Sequence, residues 1–376
     1  MMRRRAVTTG AIASVALLAA PAVLRAQGKV FRSQKASCRL VTLAQGLEQP
    51  WGLAFLPDGR MLITEREGRL RLFANGRLES RPLSGVPEVR ARGQGGLLDI
   101  CLHPDFARNS TLYLSYAAPV QGGALTRVAR GRFGEGGLTE VTPIFDAAPA
   151  SSGGNHFGSR IAFDKAGQMY VTAGERYQKE RAQKLDDLAG KVLRLRDDGS
   201  VPRDNPFVGR AGARPEIFTY GHRNPQGLAL HPMSGRMWSV EHGPRGGDEL
   251  NLLKPGANYG WPLATHGIDY SGATISEHKS RPGMEDPVRV WTPSISPSGL
   301  MIYDGNAFPA WRGSIFCGAL TAEALFRIEL DSERYKSEER LLPDALPDIR
   351  DVRQGPDGFI YLLTRNDGGL YRLEPA

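Results

Sequence analysis

One histidine, His156, stands in 151-SSGGNHFGSRIAFD-164 among glycines, serines and an asparagine. Small side chains let another molecule approach the backbone closely, and an imidazole there is suited to general-base work; the plain alternative is an ordinary loop residue. Related polar clusters recur along the chain: 93-GQGGLLDI-100, 154-GNHFGSR-160, 221-GHRNPQGL-228, 241-EHGPRGGDELN-251 and 346-LPDIRDVRQGPDG-358. If they converge, Gln94, His156, Arg223, Asn224, Arg350 and Arg353 share one pocket. Several arginines facing a common space need a negative partner, and a ligand bearing carboxylates would provide it. In 243-GPRGGDELNLLKPGANYGW-261, Asp248 and Glu249 follow a glycine-rich turn. Hard carboxylate and carbonyl oxygens favour calcium over zinc, although the spacing is not that of an EF-hand; a solvated turn paired with Arg245 or Lys254 is the alternative.

The elements that must position these residues repeat. Six segments, beginning at Gly52, Gly96, Ser159, Gly227, Gly299 and Val352, each read as an alternating strand, a turn and a second strand. Further apolar runs follow, such as 69-RLRLF-73, 191-KVLRLR-196 and 324-ALFRIEL-330. Units of three to four strands, roughly 58 residues each, predict an all-β, six-bladed propeller, a fold in which equivalent positions of successive blades meet at the axis. The stretch 37-SCRLVTL-43 is expected to close the ring on the last blade, and the segments 176–222 and 244–298 to form loops on one face. A large β-sandwich or two small β domains is the competing architecture. No linker divides the chain, so one domain over 27–376 is preferred.

The first residues, 1-MMRRRAVTTGAIASVALLAAPAVLRAQG-28, place three arginines before a short apolar core and small residues up to Ala26. This is the pattern of a signal peptide over 1–26, and it predicts a periplasmic or secreted protein, by the Sec or the twin-arginine route. Its four arginines account for half of the formal charge of +8. The remainder is mildly basic without a Lys/Arg tract, which argues against a nucleic-acid partner. No later apolar run is long enough for stable membrane insertion. Three cysteines without a CxxC pair indicate neither a zinc site nor a dithiol centre, and leave room for one bridge at most.

Together, the motifs GQGGLLD, GNHFGSRIAFD, GHRNPQGL, EHGPRGGDELN, NYGWP and RDVRQGPDG resemble those of the soluble quinoprotein sugar dehydrogenases, in particular the aldose sugar dehydrogenases that use pyrroloquinoline quinone (PQQ). The likeness spans about Leu40 to Leu373, and the family's fold is a six-bladed propeller. It implies that His156 is the catalytic base. It implies that Gln94, Arg223, Asn224, Tyr270, Ala319 and Arg350 contact PQQ. It further implies that Gly243 and Pro244 offer carbonyls to a calcium ion, and that Glu249 and Tyr259, the latter through its backbone oxygen, belong to a calcium site with Asp248 nearby. Two positions depart from the pattern: Thr321 and Asp348 stand where relatives often carry a basic residue.

The resulting expectation is an oxidoreductase. His156 takes the proton from the anomeric hydroxyl of an aldose, the C1 hydride passes to PQQ, Arg223 and Ca2+ stabilise the developing charge, and a lactone leaves. A calcium-dependent lactonase is the first rival and needs no quinone. A non-catalytic ligand-binding propeller is the second and shows no redox turnover.

Overall fold

The computed structural model describes residues 29–376, so the signal-peptide reading lies outside the described residues. Six antiparallel sheets form, five of four strands and one of five. Their innermost strands are Pro50–Phe55, Leu97–Leu102, Ile161–Phe163, Pro225–Leu230, Pro297–Ile302 and Ile349–Gln354, so the six sequence units coincide with six blades. Each innermost strand touches that of the next blade, and the last touches the first, which closes the ring.

The closure is made as expected from the N-terminal stretch. Ser37–Ala44 pairs with Leu370–Pro375, in register from Cys38 opposite Pro375 to Ala44 opposite Leu370. Val30–Arg32 adds an outer strand to the same sheet. Joining both ends of the chain in one sheet removes an edge that would otherwise be free to pair elsewhere.

Second strands such as Met61–Glu65, Met237–Glu241 and Ile360–Thr364 are buried at every residue. The reason is that each blade packs a face on either side. One apolar cluster between the fourth and fifth blades holds Trp238, Val240, Leu250, Ile302, Ile315 and Phe326, and equivalent clusters lie at the other blade interfaces. The recurring Gly-Leu of the innermost strands has a steric cause. A Cβ at Gly52 would come 2.9 Å from Asp99 Oδ1, and one at Gly299 would come 2.5 Å from Asp351 Oδ1.

Those two aspartates explain a correction. Arg353 was expected to face a ligand; instead its Nε donates to Asp351 Oδ2 at 2.9 Å and its Nη2 to Asp99 Oδ1 at 3.0 Å. Arg160 joins them, 2.9 Å from Asp99 and 3.2 Å from Asp351. The Leu53 and Ile161 amides donate to the same carboxylates. Arg353 is thus neutralised inside a buried network that ties four blades together around the channel. Replacing one member of such a network leaves its partners charged and unpaired. Asp99→Ala is therefore expected to lower unfolding free energy by about 3–5 kcal/mol, measurable by urea denaturation; a loss below about 1 kcal/mol, the scale of an exposed pair, would contradict this role.

The segments 176–222 and 244–298 are only partly loops. They contain the outer strands Lys191–Leu195, Ile217–Tyr220, Asp248–Leu252 and Arg289–Trp291. Blades three and four thus draw most of their outer halves from these stretches, and the loops proper are shorter. The cysteines Cys38, Cys101 and Cys317 are all free thiols, and burial raises the pKa of each. Among the described residues no helix is long and apolar enough to cross a membrane.

Candidate active site

The 151–160 loop is held from several sides. The His156 amide donates to Gln94 Oε1 at 2.9 Å. Arg176 donates to the carbonyls of Asn155 and Gly153, and its guanidinium lies 3.4 Å from the centroid of the Phe157 ring. His156, Arg176 and Tyr177 all adopt left-handed backbone conformations, with φ of 53°, 64° and 62°. Such conformations in non-glycine residues persist where surrounding contacts over-determine them, and they concentrate at functional sites.

His156 is buried, and its Nδ1 lies 2.8 Å from Glu175 Oε2. A carboxylate can only accept here, so Nδ1 carries the proton and Nε2 keeps its lone pair. Burial lowers the His156 pKa below 6.5; Glu175 pulls it back, while Arg223 and Arg176 push it further down. The free base is therefore the dominant form at neutral pH. Raising the pH through a lowered pKa creates that base, so the acid limb of turnover is expected below pH 6.5, the ordinary histidine value. Glu175→Gln removes the influence that raises it, and should move the limb lower still while slowing the reaction. A limb at or above pH 6.5 in the unmodified protein would contradict the assignment.

Two cavities are lined by residues that adjoin His156, which itself lines neither. One, of about 260 Å³, is lined by Gln94, Phe157 and Gly158 together with Trp51, Arg66, His242, Thr321, Arg350 and Arg365. The other, of about 310 Å³, is lined by Glu175, Tyr177, Arg223, Pro244 and Trp261. Tyr270, 60% exposed, lines both. A larger cavity of about 640 Å³ lies away from the channel, against Lys35, Trp238 and Glu333, and contains none of these residues.

Two unmet donors lie at the first cavity, one on its lining residue Arg350 and one on Asn224, which sits behind the lining residues Gly158 and Gln226. Asn224 Oδ1 accepts from Gly158 N and Gln226 Nε2, while its buried Nδ2 has no partner among the described residues. Arg350 Nη1 donates to Gln226 Oε1 at 2.8 Å, and its Nε is likewise without a partner. Three arginines and no carboxylate line this space. Burial and the neighbouring arginines lower the Arg350 pKa to about 9. Orphaned donors and three guanidiniums, of which only that of Arg365 has a carboxylate partner among the described residues, Asp348, fit a ligand with several carboxylates.

Arg223 faces the second cavity. Its amide donates to Glu241 Oε2, its Nη1 donates to Gly243 O at 2.6 Å, and its guanidinium lies 5.4 Å from the Trp261 ring centroid. His242, not singled out from sequence, places Nε2 2.8 Å from the Pro297 carbonyl, and burial lowers its pKa to about 3, so it is neutral. Ala319 is fully buried and lines neither cavity; the residues after it, Leu320 and Thr321, do.

The acidic segment divides. Asp248 was expected beside a metal, but both its oxygens are used: Gly243 N donates to Oδ1, and Ser294 Oγ, Ile295 N and Ser296 N donate to Oδ2. It is a clasp for two loops. Tyr259 turns its hydroxyl to Leu252 O and stacks on His222, which leaves only its backbone oxygen for a metal. Glu249 differs. It is half-buried, and desolvation and the nearby Glu241 raise its pKa. Asn251 Nδ2 donates to both glutamates, while its buried Oδ1 has no partner among the described residues. A small void beside Glu249, Glu241, Gly243 and Thr265 adjoins Arg223. Paired carboxylates and an orphaned carbonyl fit a hard cation. Among the described residues no three His, Cys, Asp or Glu side chains converge on a metal position, so such an ion would depend on carbonyl oxygens too.

The positions missed from sequence share one place. Arg66, Glu175, His242 and Arg365 all lie just beyond, or within two residues of, the end of a blade's second strand. The repeat grammar marks these exits as well as it marks the entries to innermost strands, where His156, Gln94 and Asn224 lie.

Comparison with known proteins adds to this geometry. The family model described as Glucose / Sorbosone dehydrogenase matches residues 47–372. The chain is 46% identical to aldose sugar dehydrogenase YliI of Escherichia coli (strain K12) over 347 residues, covering 90% of this chain and 94% of that protein. It is 28% identical to quinoprotein glucose dehydrogenase B of Acinetobacter calcoaceticus, covering 88% and 86%. The structure of the PQQ-bound form of aldose sugar dehydrogenase from Streptomyces coelicolor superposes with a TM-score of 0.76 at 32% identity, covering 91% of this chain and 99% of that one.

Proposed function

Because the chain belongs to the glucose/sorbosone dehydrogenase family, we propose that it is a PQQ-dependent aldose sugar dehydrogenase that oxidises the C1 hydroxyl of aldoses to lactones with the assistance of Ca2+. The observation that carries this reading is the buried His156–Glu175 pair: residues beside His156 line a cavity walled by arginines, and Glu175 lines a second cavity with Tyr177, Trp261 and Tyr270. When bound, PQQ supplies the hydride acceptor and Ca2+ a Lewis acid.

The chain's own residues do the rest. Gln94, Asn224 and Arg350 hold PQQ in the first cavity, with Tyr270 at its mouth. Glu249, the Gly243 and Pro244 carbonyls and the Tyr259 backbone oxygen hold the cation. The aldose occupies the second cavity, where the exposed Tyr177 ring offers an apolar face. His156 Nε2 accepts the proton of the anomeric hydroxyl. Glu175 fixes the tautomer and stabilises the imidazolium that forms. Arg223 places a permanent positive charge where the cavities adjoin, against negative charge that develops during reaction. The surrounding burial excludes water, which strengthens these interactions.

The leader expected over 1–26 places the reaction in the periplasm or outside the cell. The test is reconstitution of the purified chain with PQQ, Ca2+ and an artificial electron acceptor. Aldose oxidation that requires both additions supports the reading. Lactone hydrolysis without quinone would replace it with the hydrolase.

A further inference from the structure

Asp348 is one of two positions where the family resemblance leads one to expect a basic residue, and the structure shows what the carboxylate does there. The Asp348 carboxylate is buried and turned into the loop after Thr364. Arg365 Nε donates to its Oδ2 at 2.7 Å and Asn366 N to its Oδ1 at 2.9 Å. Arg365 lines the 260 Å³ cavity with Arg66 and Arg350. Its Nε is fixed by Asp348, and the side chain is only partly buried, 33% exposed, in the cavity wall. Arg66 is anchored through the Gly95 and Gly93 carbonyls, so it too is held in place from behind. The ion pair sets the carboxylate of residue 348 in the interior and the guanidinium of residue 365 in the cavity wall.

We propose that Arg365, positioned by Asp348, is a ligand-binding residue that completes with Arg66 and Arg350 a three-guanidinium wall for a ligand carrying two or more carboxylates. It takes over the charge contact that Thr321 and Asp348 no longer provide. The proposal rests on the PQQ reading for the identity of the ligand. The electrostatics point the same way: burial and Arg365 lower the pKa of Arg66, and burial and then Arg365 lower that of Arg350, with Asp348 offsetting only part. Like charges this close, without a carboxylate in the cavity wall, call for an anion.

The test is the affinity of the metal-loaded, quinone-free protein for PQQ, measured by calorimetry over a range of salt concentrations beside the melting temperature. In the pair Asp348→Asn with Arg365→Met, both charges vanish and no carboxylate is stranded. Affinity should fall about tenfold or more, the scale of a charge-assisted hydrogen bond, and its salt dependence should weaken. Arg365→Gln keeps a donor for Asp348, guards against misfolding of the pair, and should lose affinity similarly. Unchanged affinity in either folded variant, with only the melting temperature altered, would make Arg365 a structural partner and overturn the assignment. Failure of the unmodified protein to bind PQQ would instead overturn the functional reading, and this proposal with it.

Discussion

His156→Gln is expected to bind PQQ as the unmodified protein does and to oxidise aldoses about 10²–10⁴-fold more slowly, the usual loss on removing a general base. Glutamine preserves polarity, and its amide can still donate to Glu175. It has no basic nitrogen. The His156 amide, held by Gln94 at 2.9 Å, is backbone and survives the substitution. Cofactor absorbance at full occupancy, read beside the rate of sugar oxidation, separates binding from chemistry. A rate within a fewfold of normal would remove His156 from the mechanism, whatever its geometry.

Removal of the metal should have an effect of similar size. Chelation of the holoenzyme is expected to lower turnover by roughly 10²-fold or more, as several kcal/mol of transition-state stabilisation disappear. Ca2+ together with PQQ should restore it. Mg2+ should restore less, because it demands a tighter octahedral shell. The motive is local. Buried Glu241 and half-buried Glu249 are neighbouring like charges, and Asn251 Oδ1 beside them is unsatisfied among the described residues. The adjoining Arg223 donates to the Gly243 carbonyl at 2.6 Å, so that oxygen would be shared between the guanidinium and the cation. Elemental analysis showing no metal in a fully active holoenzyme would defeat this part of the mechanism.

The ring itself was legible because its signals are local and repeated. Turn residues and period-two strands recur six times, and the Gly-Leu at four of the innermost strands reports close approach between blades. His156, Gln94 and Asn224 were legible for the same reason, since each precedes or begins an innermost strand. Residue type alone could not tell Arg353 from Arg350. Both lie on one strand, yet Arg353 meets Asp99 of a blade more than two hundred residues away, whereas Arg350 meets a neutral glutamine. Asp248 failed similarly. Its carboxylate invites a metal until the 294–296 amides, brought beside it by the next blade, are seen to saturate it. Glu175 and Arg365 were overlooked because attention went to strand entries; their roles depend on a side chain packed from across a loop.

The most direct test of the account is a single turnover without oxygen or any added acceptor. The reconstituted protein, its PQQ oxidised, is mixed with excess aldose and followed by rapid absorbance spectroscopy. Full reduction of the bound quinone, with one lactone formed per cofactor and a rate limb on the acid side below pH 6.5, is the predicted result. A bound quinone that stays oxidised in the presence of every aldose tried would contradict the claim that this propeller is a sugar dehydrogenase.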